Sequence, residues 1–93
     1  MNDWTTESKR LLRSELVRRG YTYHQLAEAL AGIGLPETER SVANKMSRGS
    51  FSFAFFLQCM AAMGRPSVDL DLTGARALAE KGSNLRADGE EGA

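Results

Sequence analysis

Apolar and polar residues recur along residues 6–64 with the period of the α-helix, and the pattern divides into four segments. The first runs from about Glu7 to Arg19. Thr5 or Thr6 can cap it, Glu7 suits the positive end of its dipole, and Arg18 and Arg19 suit the negative end. Leu12 and Leu16, four apart, define its inner face, flanked by Leu11 and Val17, and Gly20 supplies the stop. The second begins after Thr22, with Gln25 completing a capping box. Its stripe is Tyr23, Leu26, Leu30 and Ile33, with the small Ala27 beside it. Gly32 and Gly34 break it.

The third segment runs from about Glu37 to Arg48. Pro36 fits its entry, where a missing N–H costs nothing. Val42, Ala43 and Met46 form a thin apolar seam, and Gly49 follows as the C-terminal glycine. The fourth starts after Ser50 or Ser52 and continues to Met63. Phe53, Phe56, Leu57, Met60 and Ala61 recur at i, i+3, i+4, i+7 and i+8, which predicts the central core helix and leaves Phe55 off the core face. Beyond Gly64-Arg65-Pro66, Val68 to Leu72 alternates like a short strand, and Thr73 to Lys81 could form a short helix. From Gly82 on, Gly, Ser, Asn, Asp and Glu dominate, which predicts disorder. The expected architecture is therefore all-α, a compact bundle of four to five helices. The main domain covers residues 1–66, a short appended segment 67–81, and an acidic disordered tail 82–93.

Composition adds little until charge is divided along the chain. With 42% hydrophobic and 26% charged residues, the 93-residue chain reads as one globular domain. Its zero net charge conceals an asymmetry: residues 1–65 hold nine Lys and Arg against six Asp and Glu, and residues 66–93 hold three against six. A basic body with an acidic tail is the result. The single cysteine, Cys59, excludes an internal disulfide and sits in an apolar run where a thiol behaves as a small hydrophobe. The N-terminus lacks the basic and apolar regions of a signal peptide, and no apolar run approaches the ~20 residues that span a bilayer. A cytoplasmic protein is expected.

Catalysis finds no support in the residue pattern. His24 is the only histidine, and no nucleophile is tied to it; Asp69 and Asp71 lack a third ligand nearby; Glu15 and Glu28 read as exposed helix faces. No enzyme activity, no cofactor, no metal site and no small-molecule substrate are expected.

The informative feature is the pairing of the second and third helices. The third has too few apolar residues for mere packing, and its outer face carries Thr38, Arg40, Ser41, Asn44, Lys45 and Arg48. Asn can bond adenine bidentately, Lys and Arg suit guanine edges or phosphates, and Ser and Thr suit either. A helix presenting these from one face fits the major groove. Lys9, Arg10 and Arg13 share one arc of the first helix and could grip flanking phosphates, or form an ordinary solvated face.

Two stretches carry a family likeness: Thr22-Tyr23-His24-Gln25-Leu26-Ala27-Glu28-Ala29-Leu30 and Ser41-Val42-Ala43-Asn44-Lys45-Met46-Ser47-Arg48-Gly49. Together with Phe53 to Gly64 they resemble the lambda-repressor-like, XRE-type helix-turn-helix family, over about residues 9–64. Residues 37–49 are also similar to an uncharacterised group of small bacterial proteins. The resemblance implies a small transcriptional regulator that binds double-stranded DNA through its third helix, as a homodimer reading two half-sites. The rival reading is a protein-interaction module, adaptor or antitoxin-like, that keeps the fold without binding DNA. Zero net charge, Glu37 and Glu39, and the long turn from Ala31 to Glu37 favour that rival.

Overall fold

In a computed structural model of the chain, residues 3–85 are described, and they contain five helices and no strand. These are α1 (Trp4–Arg19), α2 (Tyr23–Gly32), α3 (Glu39–Arg48), α4 (Phe53–Ala62) and α5 (Thr73–Leu85). Each of the first four begins where a short polar side chain replaces a missing backbone partner. Asp3, not Thr5 or Thr6, caps α1: its carboxylate accepts the Thr6 N–H at 2.8 Å and the Thr5 hydroxyl at 2.9 Å. Thr22 and Gln25 close the expected capping box on α2, at 3.0 and 2.9 Å. Thr38 caps α3 by accepting the Ser41 N–H at 3.0 Å, and Ser52 caps α4 through the Phe55 N–H at 3.0 Å. The α3 helix therefore begins two residues later than Pro36 suggested. Glu37 stays outside it, free to use its side chain elsewhere.

Gly20 and Gly49 end α1 and α3 in the left-handed conformation, at φ 72° and 68°. The second of these has no room for a side chain. A Cβ at Gly49 would run into the backbone carbonyl of Thr5, so the end of α3 and the start of α1 meet backbone to backbone.

The core is built from Leu12 and Leu16 of α1, Leu26, Ala27 and Leu30 of α2, Val42 and Met46 of α3, and Phe55, Phe56, Cys59, Met60 and Met63 of α4 and its end. The first three helices turn Leu12 and Leu16, Leu26 and Leu30, and Val42 and Met46 inward as their periodicity predicted, but Val17, expected beside the inner face of α1, stands 74% exposed. The α4 helix does not use its predicted face. Phe53 and Leu57 stand 68% and 50% exposed, Ala61 is exposed, and Phe55 is buried at 4%. Nine of the ten residues in Phe53–Ala62 are apolar, so several registers satisfy the same period. Phe51, whose ring meets Phe55 at 5.8 Å, and the α2 surface select the register that forms.

Three other expectations are corrected. Glu15 is not an exposed residue: it is 2% exposed, because it lies only about 60° around the helix from Leu12. Ile33 falls just past the end of α2 and stands 47% exposed. Residues 68–72 form no strand, since an all-helical neighbourhood offers no partner ladder; they lead into α5. The expected short helix from Thr73 continues to Leu85, so residues 82–85, expected to be disordered, are helical, and the remainder of the acidic tail, 86–93, lies outside the described residues. On α1, α5 docks at Glu7, whose carboxylate occupies the space a Cβ at Gly74 would need. Among the described residues no helix is long and apolar enough to cross a membrane.

Candidate nucleic-acid interface

The α3 helix buries only Val42 and Met46 completely, against α2 and α1. That single edge leaves the opposite side of the helix to solvent. Arg40, Asn44 and Arg48 follow one another at i, i+4 and i+8, so they share a face, and all three are exposed. Among the described residues none of them makes a side-chain hydrogen bond or an ion pair. Ser47, exposed and seven residues after Arg40, lies on the same face. It was absent from the sequence-derived set, although helical spacing alone would have found it.

The other α3 candidates have inward partners. Thr38 spends its hydroxyl oxygen on the helix cap. Ser41 donates its hydroxyl to Glu37 Oε1 at 2.6 Å, and Lys45 Nζ donates to Glu37 Oε2 at 2.7 Å. The Lys45 ammonium also sits over the Phe55 ring, 4.7 Å from its centroid. Both partners of the Glu37–Lys45 pair are largely shielded, with side chains 17% and 31% exposed. The hydrogen bond from Lys45, then that from Ser41, holds the Glu37 carboxyl below the ordinary glutamate range. Glu37 is therefore a neutralised structural anchor for the first and last turns of α3, not an isolated acid beside the exposed face.

The basic residues of α1 are also engaged. Lys9 Nζ donates to the Ser47 carbonyl at 3.1 Å, which satisfies a backbone acceptor in the last turn of α3. Arg10 donates to Glu7 at 3.0 Å and to the Asp71 carbonyl at 2.7 Å, tying α1 to the approach to α5. Arg13 donates to the Tyr23 hydroxyl at 2.9 Å, at the start of α2. The structure thus brings Lys9 beside the C-terminal end of α3 and sends Arg10 and Arg13 to two other contacts.

Beyond Arg48 the chain turns through Gly49 and Ser50 into α4, and a groove of ≈ 310 Å³ opens between Lys45, Arg48, Ser50, Phe51 and Gln58. The sequence reading missed Ser50 and Gln58, because their contribution depends on how α3 and α4 sit together. Acidic Glu39 at the other end of α3 approaches His24, with Oε1 3.5 Å from Nδ1, while His24 Nε2 lies 3.2 Å from Glu28. All three are exposed. Among the described residues no group of three His, Cys, Asp or Glu side chains could hold a metal.

These features define an all-α domain with an exposed polar and basic helix face. The model of a family described as a domain of unknown function, DUF6471, matches residues 4–68, and the protein belongs to that family. The match takes in α1 to α4 and ends before α5. No curated protein matches the chain, and no solved structure does.

Proposed function

We propose that the protein binds double-stranded DNA, with the outer face of α3 in the major groove, as a small cytoplasmic transcriptional regulator of lambda-repressor-like type. The observation that carries this reading is the exposed Arg40–Asn44–Arg48 row, with Ser47 beside it and no internal partner among the described residues. Unpaired guanidinium and amide groups on one helix face are suited to base edges, and the groove past Arg48 adds the polar side chains of Ser50 and Gln58, which suit phosphate oxygens. Glu37 does not oppose this, since Lys45 and Ser41 already hold its charge. Lys9, Thr38, Ser41 and Lys45 act in this reading mainly by shaping α3, and Arg40, Asn44, Ser47 and Arg48 act by contact. No catalytic step and no cofactor enter the function.

The test is fluorescence anisotropy of a labelled random-sequence duplex at low and at physiological salt. Wild-type protein binds, and the affinity falls linearly with salt on logarithmic axes; Arg40→Glu/Arg48→Glu abolishes binding in a folded protein. Replacing Arg48 alone by Gln lowers the salt slope by about one. A folded wild-type protein that fails to bind at low salt overturns the proposal.

A second reading, a protein-interaction module without DNA binding, draws on the internal use of Lys9, Arg10, Arg13 and Lys45, which leaves fewer cations for phosphates. Insensitivity to salt distinguishes it, because an apolar interface changes little where a phosphate-bound one weakens steeply.

A further inference from the structure

We propose that the solvent side of α4 is a homodimer interface, in which two copies of this chain pair their α4 helices antiparallel about a two-fold axis passing near Leu57. Phe53, Leu57 and Ala61 succeed one another at i, i+4 and i+8 on the side of α4 turned away from the core, with Ala54 beside them, and all are exposed. The α4 helix contains no charged residue at all, so two copies of this face meet without like-charge repulsion or the desolvation of an ion. The apolar surface continues past Phe53 into a hollow of ≈ 270 Å³ lined by Leu11, Phe56 and Leu70. Phe53 is also held in place: its ring stacks on Phe56 at 5.9 Å with the planes 16° apart. A large side chain already ordered in the free protein loses little further freedom on binding.

Shape selects a second copy as the occupant. Centring an antiparallel pair on Leu57 places each Leu57 against the partner's Leu57 and each Phe53 against the partner's Ala61. A bulky residue then meets a small one at both ends, as a self-complementary two-fold interface requires. Area agrees. Phe53 is 68% exposed, Leu57 50% and Leu70 40%. With Ala54 and Ala61 they present on the order of 400 Å² of apolar surface, given about 150–250 Å² for a whole aromatic side chain. A modest interface of about 800 Å² per partner, roughly 60% of it apolar, needs only slightly more. That lies within the roughly 300–600 Å² of the largest apolar patch on a typical monomer, a patch that is often functional. Residues 86–93, Arg-Ala-Asp-Gly-Glu-Glu-Gly-Ala, have no apolar side chain larger than alanine and are unsuited to cover it.

The test uses the full chain without DNA, so its result is independent of the nucleic-acid reading. Sedimentation velocity follows association from ~1 μM to ~1 mM. Wild-type protein dimerises with a dissociation constant of about 1–100 μM. Leu57→Glu and Leu57→Lys alter an exposed side chain, keep the helical circular dichroism, and each weaken dimerisation at least tenfold. Mixing the two variants restores it, because opposite charges then face each other across the axis. Val17→Glu, on an exposed α1 position, dimerises like wild type. A wild-type chain that stays monomeric at ~1 mM, a Leu57→Glu variant that dimerises normally, or a mixture that fails to recover would each overturn the proposal, the first pointing to a different protein as the occupant.

Discussion

Replacing Gly49 by alanine tests the junction that sets the exposed α3 face on the rest of the molecule. Two costs combine there. At φ 68° the backbone is left-handed, which penalises an alanine by about 1–2 kcal/mol, partly offset by about 0.4–1 kcal/mol from the stiffer unfolded chain. The added methyl would also overlap the Thr5 carbonyl, a backbone atom within the first turn of α1 that cannot rotate away. Forcing such an overlap typically costs a further ~1–3 kcal/mol. Gly20 isolates the first cost, since it has φ 72° at the same C-terminal position of α1 and nothing within 4 Å of its Cβ site. Gly20→Ala is expected to lose about 0.5–1.5 kcal/mol, and Gly49→Ala about 1.5–4.5 kcal/mol, as the sums of these contributions. Urea unfolding followed by far-ultraviolet circular dichroism reads both, and each kcal/mol shifts Tm by about 4–8 °C in a domain of this size. Equal losses for the two variants, within about 0.5 kcal/mol, would refute the claim that α1 and α3 meet backbone to backbone at Gly49.

Three further outcomes follow from the packing and the charges. Phe55→Ala is expected to cost about 3–5 kcal/mol and Phe53→Ala less than about 1 kcal/mol, the reverse of what periodicity alone implies; urea midpoints of the two variants decide it. Because the folded carboxyl of Glu37 titrates below the ordinary value of 4.5, its contribution to stability is complete above that value and is lost as pH falls through the folded one. Glu37→Gln should therefore lower stability near neutrality and flatten its decline as pH falls below the ordinary value of 4.5, measured as the urea midpoint against pH; an unchanged acid slope would exclude the Lys45 and Ser41 contacts as its source. Burial pushes the Cys59 thiol up to about 12, so a thiol-specific disulfide reagent should label it at the global unfolding rate, and rapid labelling of the native protein would contradict its position in the core.

Local rules made most of the fold legible. Thr22 and Gln25 mark the start of α2 by the hydrogen bonds their side chains can return to the backbone, and Gly20 and Gly49 mark the ends of α1 and α3 by a conformation other residues resist. The Leu12–Leu16 and Leu26–Leu30 pairs found the core because polar residues on the other sides of those helices leave only one face to bury. The row of Arg40, Asn44 and Arg48 was readable for the same reason: Val42 and Met46 admit only one orientation of α3.

Where local chemistry permits several answers, tertiary packing made the choice. In α4 nearly every residue is apolar, so burial energy hardly distinguishes one face from another until α2 and Phe51 occupy one side; Phe55 then enters the core and Phe53 leaves it. Glu15 is buried because α1 is covered more widely than its leucines indicate. The division of the basic residues is also a long-range result. Lys9 reaches Ser47 across 38 residues and Arg10 reaches Asp71 across 61, distances in sequence that no helical period encodes. Sequence by itself determined which side chains carry charge and where α1 to α4 form, since both depend on neighbours within a turn. Which of those charges remain available on the surface was decided only when the helices met, because an ammonium or guanidinium group takes whatever carbonyl or carboxylate the packing brings within reach.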